Sequence, residues 1–424
     1  MAYHLTREAL RLDLMAAHQC AKRHKASRPY VLHFERRLEE EIERLCDDLW
    51  QRRYQPEPST CFIVEHPKKR EVFAAQYRDR VVHHLYFNYC HCLFERTFIS
   101  DCYACIEQRG THYGQHRLQR HIRQETQGYQ LPCYVMKLDL RGYFMHINRQ
   151  RLLQIATRSL RRMASHRLGS AAISYGLHPQ DTWADAVDMD FVEWLTQEIV
   201  MLDPKDHCRI AGSLADWEGL DYSKSLFHTA DGCGLPIGNL TSQLLSNVYL
   251  NEFDQFMKRT LGCRHYGRYV DDSFVVSTDR EWLLSLVPQI RQFLADELQL
   301  DLHMGKLHVT DARYGVEFLG GYVKARTVYI STASLRRMER KVRETCAAIS
   351  TAVHRRGMVS PEHAETVSRS LNSFLGVLCH YDSFRVRSRL LLVPSLLAIG
   401  RFNAGITRFV IHSPVCYCTT AASR

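Results

Sequence analysis

The chain has 424 residues, 45% of them hydrophobic, which is enough to bury a substantial core. Its 56 lysines and arginines outnumber its 46 acidic residues, and the formal net charge of +10 favours a polyanionic partner. No secretory signal pattern is found, and the late apolar run at 390–400 is too short for a bilayer and contains Pro394. These features argue against a membrane protein, and we expect a cytoplasmic location.

The first part of the chain is predicted to be helical and then basic. The N-terminal 60 residues read as helices, and the segment 33–54 has the strongest helical pattern, with a charged face. Residues 61–130 contain two basic stretches interleaved with aromatic residues. Arginines and lysines of this kind pair well with phosphate oxygens.

A buried strand followed by a carboxylate is predicted in YVMKLDLRGYF, residues 134–144. The apolar run ends at Asp139, and a helix is predicted to begin near Asn148. A strand that delivers a carboxylate at its C-terminal end can complete a site with acidic residues from elsewhere in the chain.

A glycine-rich loop and a helix are predicted in GCGLPIGNLTSQLLSNVYLNEFDQF, residues 232–256. Apolar residues recur at helical spacing from Leu240 onward, and glycines in the loop would let a ligand approach the backbone closely. Four polar side chains of the helix offer hydrogen bonds to a sugar or a template strand: Thr241, Ser242, Gln243 and Asn247. The alternative is an ordinary capped helix after a turn.

Two adjacent carboxylates, Asp271 and Asp272, lie at a predicted hairpin tip in GRYVDDSFVVS. Such a pair is a good platform for divalent cations, although an Asp-Asp pair in a turn is often only solvated. Together with Asp139 it supplies three carboxylates. Three carboxylates suit two Mg²⁺ ions, which bind the attacking and leaving oxygens of an in-line phosphoryl transfer.

Two amphipathic helices are predicted near the end of the chain, over 332–354 and 361–379. The basic face of the first helix either follows the backbone of a nucleic acid duplex or is simply solvated. The basic residues of that face are Arg336, Arg337, Arg340 and Lys341.

These motifs, in this order, resemble those of a reverse transcriptase. KLDLRGYF resembles motif A, GLPIGNLTSQLLSN motif B, YVDD motif C, Gly305-Lys306 motif D and EFLGGYV motif E. Five motifs in one order are far more specific than any single motif. The resemblance implies an α+β right-hand polymerase with fingers, a palm with an antiparallel sheet, and a helical thumb.

The same resemblance implies four regions of the chain. They are an N-terminal helical segment at 1–60, fingers at 61–133, a palm at 134–324 with an insertion at about 165–231, and the thumb and C-terminal helices at 325–424.

The resemblance also implies roles for individual residues. The catalytic residues would be Asp139, Asp271, Asp272 and Lys306, with Lys306 protonating or stabilising the leaving pyrophosphate. The ligands of two Mg²⁺ ions, for which Mn²⁺ is an alternative, would be Asp139, Leu140, Asp271 and Asp272. Nucleotide contacts would come from Arg70, Arg109, Phe144, Ile237, Gly238 and Gln243, with Lys69 and Arg78 as further candidates in the fingers.

Two of these roles are more specific. Phe144 would lie under the sugar of the nucleotide, where a planar ring leaves no room for a 2′-hydroxyl. Gly320 and Gly321 would belong to the hairpin that grips the primer end.

Motif B departs from the common wording of the family. Most members have Pro-Gln-Gly where this chain has Pro236-Ile237-Gly238, and IGNLTSQ resembles the bacterial enzymes of diversity-generating retroelements. Unassigned and defence-associated bacterial groups lie close to them. Two roles therefore stay open: error-prone copying of a retroelement template, and copying of a dedicated non-coding RNA in phage defence.

The partners implied are template or non-coding RNA, nascent cDNA and dNTPs, with a small accessory protein or a homo-oligomer as additions and no membrane. Two other classes compete. An RNA-dependent RNA polymerase usually has glycine before its Asp pair and a polar residue five positions after the first Asp, where this chain has Val270 and Phe144. A non-catalytic RNA-binding scaffold would be expected to lose at least one acid, and all three are present.

Overall fold

The computed structural model describes residues 3–65, 68–206, 208–356 and 359–412. Residues 357–358 and 413–424 of the predicted thumb lie outside the described residues. The chain divides into two compact units. The first contains the residues up to Gln108, Lys137–Ser273 and Leu284–Leu307, and the second contains Arg109–Met136, Phe274–Leu283 and the chain from His308 onward.

The described residues form sixteen α-helices. In chain order they are α1 (Arg7–Lys22), α2 (Pro29–Glu35), α3 (Leu38–Trp50), α4 (Tyr77–Glu95), α5 (Thr111–Glu125), α6 (Tyr143–His146), α7 (Arg149–Ala164), α8 (Ala172–Tyr175), α9 (Trp183–Ala186), α10 (Met189–Met201), α11 (Leu240–Gln255), α12 (Arg280–Leu298), α13 (Thr332–Arg356), α14 (Pro361–Leu378), α15 (Phe384–Leu391) and α16 (Pro394–Leu397). None of these helices has the length and hydropathy of a transmembrane span.

Twelve strands accompany the helices in the same described ranges. They are β1 (Thr60–Val64), β2 (Arg70–Ala74), β3 (Tyr134–Leu138), β4 (Arg209–Ile210), β5 (Tyr266–Tyr269), β6 (Asp272–Ser277), β7 (His308–Asp311), β8 (Val316–Phe318), β9 (Gly321–Val323), β10 (Val328–Ile330), β11 (Gly400–Phe402) and β12 (Phe409–Ile411). The strand orders are β2-β1-β4, β5-β6-β3-β7, β10-β9-β8 and β11-β12.

The N-terminal helices of the first unit are amphipathic. The predicted helix over 33–54 is divided, because α2 ends at Glu35 and α3 begins at Leu38. The buried residues of α3 follow the spacing of one helix face: Ile42, Leu45, Cys46 and Leu49.

A hairpin of β1 and β2 pairs Cys61 with Phe73, and β4 adds a third strand in parallel to β1. Glu71, on β2, is 1% exposed and accepts hydrogen bonds from Trp217 Nε1 at 2.7 Å and Ser225 Oγ at 2.8 Å. It also accepts one from the Leu226 N–H at 2.7 Å. Three donors satisfy this buried carboxylate, so the segment before motif B is fixed to the hairpin.

The strand, helix and hairpin predicted around the acidic residues are all confirmed. Strand β3 ends directly before Asp139, and α7 begins after Asn148, whose side chain accepts from the Arg151 N–H at 2.8 Å as an N-cap. Helix α11 begins at Leu240, and most of its residues are buried, so it forms the core of this unit instead of a surface helix.

The second unit contains the two helices predicted near the end of the chain, with bounds close to those expected. Val342 and Ile349 of α13 pack with residues of α14 such as Val367 and Leu371 in one apolar cluster. The four basic residues of the predicted face are exposed: Arg336, Arg337, Arg340 and Lys341. The amphipathic pattern of the sequence therefore predicts both the helix and its solvent face.

Candidate active site

The acidic pair lies on a tight hairpin in the first unit. Strand β5 ends at Tyr269 and β6 begins at Asp272, so Val270 and Asp271 form the turn. Val270 has a φ of 55°, a left-handed conformation that is rare for a β-branched residue. Such strain persists where neighbouring contacts fix the backbone, and here Arg268 Nη1 donates to the Val270 carbonyl at 2.9 Å.

Arg268 belongs to a buried ionic network beneath this turn. Its side chain is 1% exposed and that of Asp254 is 0% exposed, and Nε and Nη2 each lie 2.7 Å from a different oxygen of Asp254. The Tyr266 hydroxyl donates to the same carboxylate at 2.7 Å, and Asn247 Oδ1 accepts from Arg268 Nη1 at 3.2 Å. The guanidinium therefore bridges α11 to the Val270–Asp271 turn.

Asp139 follows β3 and is fixed through its main chain. Its carbonyl accepts from the His303 N–H at 2.8 Å, and the Arg141 N–H donates to the Asp301 carbonyl at 2.9 Å. These two hydrogen bonds form an antiparallel bridge between Leu140 and Leu302. Neither of them uses the carbonyl of Leu140, which is a predicted metal ligand. Lys306 Nζ lies 2.9 Å from both oxygens of Asp139, so two predicted catalytic residues are in direct contact.

The carboxylates influence one another electrostatically. Burial, followed by repulsion from Asp272 and Asp139, raises the pKa of Asp271 to about 6. Burial also raises the pKa of Asp272, with Asp139 adding to this effect while Lys137 and Lys306 oppose it. Three mutually repelling carboxylates are a site that gains from a bound cation.

A closed metal site is not formed by the side chains as they stand. Among the described residues, no group of three or more histidine, cysteine, aspartate or glutamate side chains is arranged to hold a metal ion. Lys306 Nζ engages both oxygens of Asp139 in this arrangement. The donor set itself fits Mg²⁺, which prefers carboxylate and other oxygen ligands, and ligation by these residues stays a prediction.

Phe144 and Ile237 contact the same apolar cluster, which contains Cys61, Phe73, Met145 and Leu226. The main chain joins the same segments, because the Leu235 N–H donates to the Phe144 carbonyl at 2.8 Å and the Phe73 N–H to the Ile237 carbonyl at 3.0 Å. Motif A, motif B and strand β2 therefore meet at one place.

Gly238 is needed for close packing with β2. Its φ is +123°, and a Cβ atom there would lie 2.9 Å from Val72 Cγ1 and 3.2 Å from the Phe73 carbonyl oxygen. The expectation was close approach by a ligand, whereas the close neighbour in the structure is the protein's own strand.

The predicted polar contacts of α11 are corrected by the structure. Thr241, Ser242 and Asn247 are 2%, 4% and 1% exposed, so they cannot contact a template strand. Asn247 Nδ2 instead donates to the Ala104 carbonyl at 2.8 Å. Only Gln243 of the four is exposed, and its Oε1 accepts from Cys105 Sγ at 3.4 Å.

The arginines and lysine predicted in the fingers differ in their surroundings. Arg70 is exposed at the start of β2, while Lys69 Nζ donates to the Glu218 carbonyl at 2.6 Å. Arg78 is 15% exposed and forms an ion pair with Asp48 at 2.5 Å. Arg78 thus joins α4 to α3, and this use makes it a poor candidate for triphosphate binding.

The remaining predicted residues lie in the second unit and are described with it. Arg109 lies near the start of α5, with its guanidinium carbon 6.0 Å from the centre of the Tyr113 ring. Leu319 and Gly320, with φ of 50° and 77°, form the turn between β8 and β9. Gln115 is 1% exposed, and its Nε2 donates to the Leu319 carbonyl at 2.9 Å. A Cβ atom added to Gly321 would lie only 2.6 Å from the same Nε2 atom, so glycine is needed there.

The model of the family described as "Reverse transcriptase (RNA-dependent DNA polymerase)" matches residues 202–323. Residues 202–323 thus resemble a reverse transcriptase domain. The fold class predicted from the motifs, a right-hand polymerase fold, is confirmed, and the match supports the predicted enzyme class, a reverse transcriptase, which is a nucleotidyltransferase. The match includes motif B and the acidic pair but begins after Asp139 and Phe144.

Solved structures with similar folds include telomerases from two yeasts. The telomerase of Candida albicans, in complex with a TWJ fragment of telomeric RNA, is 9% identical with a TM-score of 0.45 over 77% of this chain and 52% of that chain. Apo telomerase of Candida tropicalis is 9% identical with a TM-score of 0.45 over 79% and 60%. A C-terminally truncated form is 10% identical with a TM-score of 0.43 over 65% and 56%.

The chain spans between 52% and 60% of the length of these telomerases, and the likeness concerns the fold alone. No curated protein matches the chain.

Several buried polar residues that fix the two units internally were not predicted from sequence, notably Arg268, Asp254, Glu71 and Gln115. The sequence held a signal for Arg268, because Tyr266 and Arg268 face one side of strand β5 and an arginine on a buried face needs an acidic partner. The identity of that partner depends on tertiary packing.

Proposed function

We propose that this protein copies an RNA template into complementary DNA in the cytoplasm, using two divalent cations held by Asp139, Asp271 and Asp272. The observation that carries the proposal is that Asp139, directly after β3, and the Asp271–Asp272 pair, at the β5–β6 hairpin, lie on neighbouring strands of one sheet. Mutual repulsion of these carboxylates, which adds to the rise in the pKa of Asp271, agrees with this. The reverse transcriptase domain supplies the reaction class.

The chain's own residues supply positioning and electrostatics. When bound, the two Mg²⁺ ions lower the pKa of the primer 3′-hydroxyl and neutralise charge on the triphosphate. Arg268 holds the Val270 carbonyl and so fixes the turn that presents Asp271. The Lys306 side chain is 56% exposed, so it is free to leave Asp139 and bind the leaving phosphate, to which its ammonium group donates hydrogen bonds.

We further propose that the template belongs to a diversity-generating retroelement. The feature that favours this role is Ile237, because an isoleucine offers no amide to check the geometry of the nascent base pair. Its packing against the apolar cluster that Phe144 also borders is consistent with a residue that only shapes the nucleotide pocket.

The catalytic proposal is tested with Asp271→Asn/Asp272→Asn. This variant keeps the side-chain shapes but removes two charges, so Mg²⁺-dependent extension of a DNA primer on RNA should fall at least about 1000-fold, or about 4 kcal/mol in the barrier. The matched control is Glu281→Gln/Asp296→Asn, which removes two charges from exposed sites on α12. Equal activity of both variants would reject the site.

The biological setting is tested by sequencing the RNA and cDNA that co-purify with the wild-type protein. A retroelement enzyme should yield cDNA with errors concentrated at template adenines. Faithful cDNA of one structured non-coding RNA would instead support the phage-defence role.

A further inference from the structure

A groove lined by arginines lies in the second unit, between α5 and the turn that joins β9 to β10. Its volume is about 1020 Å³. Three exposed arginines, Arg120, Arg123 and Arg326, are among its ten lining residues, and no acidic residue is among them. The groove therefore has the charge of an anion-binding surface.

Two hydrogen bonds hold the β9–β10 turn against α5. Gln119 Nε2 donates to the Lys324 carbonyl at 3.0 Å, and the Tyr129 hydroxyl donates to the Ala325 carbonyl. Arg326 from the turn is thereby brought near Arg123 from the helix. Both guanidinium groups act on the Tyr129 hydroxyl, where they oppose the rise in its pKa that burial causes.

Glu125, the acidic residue of α5, is not among the residues that line the groove. Glu125 is turned to β6 and its following residues, where its carboxylate accepts from the Thr278 N–H at 2.9 Å. Guanidinium groups bind phosphate oxygens in a bidentate manner, so convergent arginines without acidic neighbours suit a phosphodiester backbone.

The polar lining favours a double helix over a single strand. Single-stranded nucleic acid is held mainly by stacking on aromatic rings, whereas this lining contains one tyrosine, with its hydroxyl already bonded, and no phenylalanine or tryptophan. Gln124 and Gln127 are exposed in the groove and offer amides to 2′-hydroxyls. Double-stranded RNA is recognised through its phosphates and 2′-hydroxyls.

The groove is separate from the predicted primer-grip turn in the same unit. That turn joins β8 to β9 and is held by Gln115, whereas the groove borders the turn at the opposite end of β9. Arg123 lies eight residues beyond Gln115 on α5, which corresponds to about 12 Å along the helix axis.

We infer that the groove of α5 and the β9–β10 turn binds the sugar–phosphate backbone of double-helical RNA, as a docking surface distinct from the primer-grip turn. The choice of RNA rests on the proposed function, because a folded part of the copied RNA is the double helix that such an enzyme encounters.

The test compares Arg120→Gln/Arg123→Gln/Arg326→Gln with Arg369→Gln/Arg401→Gln/Arg408→Gln, which removes three exposed arginines elsewhere in the same unit. Binding of a labelled blunt RNA duplex of about 20 base pairs is measured by fluorescence anisotropy from 50 to 200 mM salt. Each phosphate contact adds about 0.7–0.9 to the salt slope, so the groove variant should lose about 2–3 from the slope and roughly 10- to 100-fold in affinity at intermediate salt.

The control variant should stay within about twofold of wild type, and both should unfold at the wild-type temperature because the altered side chains are exposed. Equal losses in the groove and control variants, an equal loss for a DNA duplex, or a larger loss for single-stranded RNA would each overturn the inference. Extension of a short RNA template–DNA primer pair should persist in the groove variant. By contrast, Asp271→Asn/Asp272→Asn should bind the duplex normally, so failure of the groove and failure of the polymerase proposal are distinguishable.

Discussion

Asp254→Asn should destabilise the protein severely, because it leaves the Arg268 guanidinium buried without its counter-charge. Both side chains are almost fully buried, and two N–H groups of Arg268 lie 2.7 Å from the carboxylate. Removing one partner of a buried ion pair costs about 3–5 kcal/mol. For a unit of this size, that cost corresponds to a fall of roughly 6–20 °C in the unfolding temperature.

Arg268→Lys tests the positioning role separately from charge. Lysine keeps the positive charge but lacks the planar fork, so it cannot reach Asp254, Asn247 and the Val270 carbonyl together. A hydrogen bond to a charged group contributes about 1.5–3 kcal/mol. If the turn relaxes by that amount, kcat for RNA-templated extension should fall about 10- to 100-fold, while the KM for RNA changes little.

The double variant Asp254→Asn/Arg268→Met completes the cycle. Removing both charges should recover most of the stability lost in Asp254→Asn, measured by urea or thermal unfolding, but it should not recover kcat. The ion pair of Arg161 and Glu193 provides the control: the Arg161 side chain is 71% exposed, so Arg161→Met should cost less than about 1 kcal/mol. Near wild-type extension by the double variant would refute the claim that Arg268 positions the catalytic turn.

Three further predictions concern individual residues of the site. Phe144→Ala should raise ribonucleotide incorporation relative to deoxyribonucleotide, measured by competitive extension, because the ring under the sugar is removed; an unchanged ratio in an active variant would reject this role. Ile237→Gln should change the error rate, most clearly opposite template adenines, in deep-sequenced products from one defined RNA; faithful wild-type copying at adenines would count against retroelement function. In the absence of metal, ionisation of Asp271 should lower the stability of the folded protein as pH rises from about 4 to about 6. The reason is that the pKa of Asp271 is about 6 in the folded state and 3.8 ordinarily, so the folded state binds more protons than the unfolded state in this range. At about 1.4 kcal/mol per pKa unit the effect is at most about 3 kcal/mol, and Asp271→Asn should raise the unfolding temperature in EDTA at pH 7 but not at pH 4; parallel pH profiles of wild type and variant would contradict it.

Features set by neighbouring residues could be predicted from the sequence. Asn148 caps α7 because its side chain reaches a backbone N–H three residues ahead, and the hairpin at Asp271 follows from apolar runs on either side of a short turn. Local chemistry of this kind does not depend on the rest of the fold.

Features set by tertiary partners could not be predicted. Nothing near Asn247 in sequence indicates that its amide lies beneath the Val270–Asp271 turn instead of facing a template, because its partners Ala104 and Arg268 are distant in the chain. Similarly, Glu71 reads as a surface acid in a basic stretch until Trp217 and Ser225 are placed beside it. In each case the decisive contact is made by a residue distant in the chain.

The shared packing of Phe144 and Ile237 limits how this enzyme can evolve. Both side chains pack against the apolar cluster that contains Phe73 and Met145, so a larger or smaller residue at one position disturbs the packing that supports the other. Changes in accuracy and changes in sugar preference should then be inherited together, and the effects of two substitutions should not add.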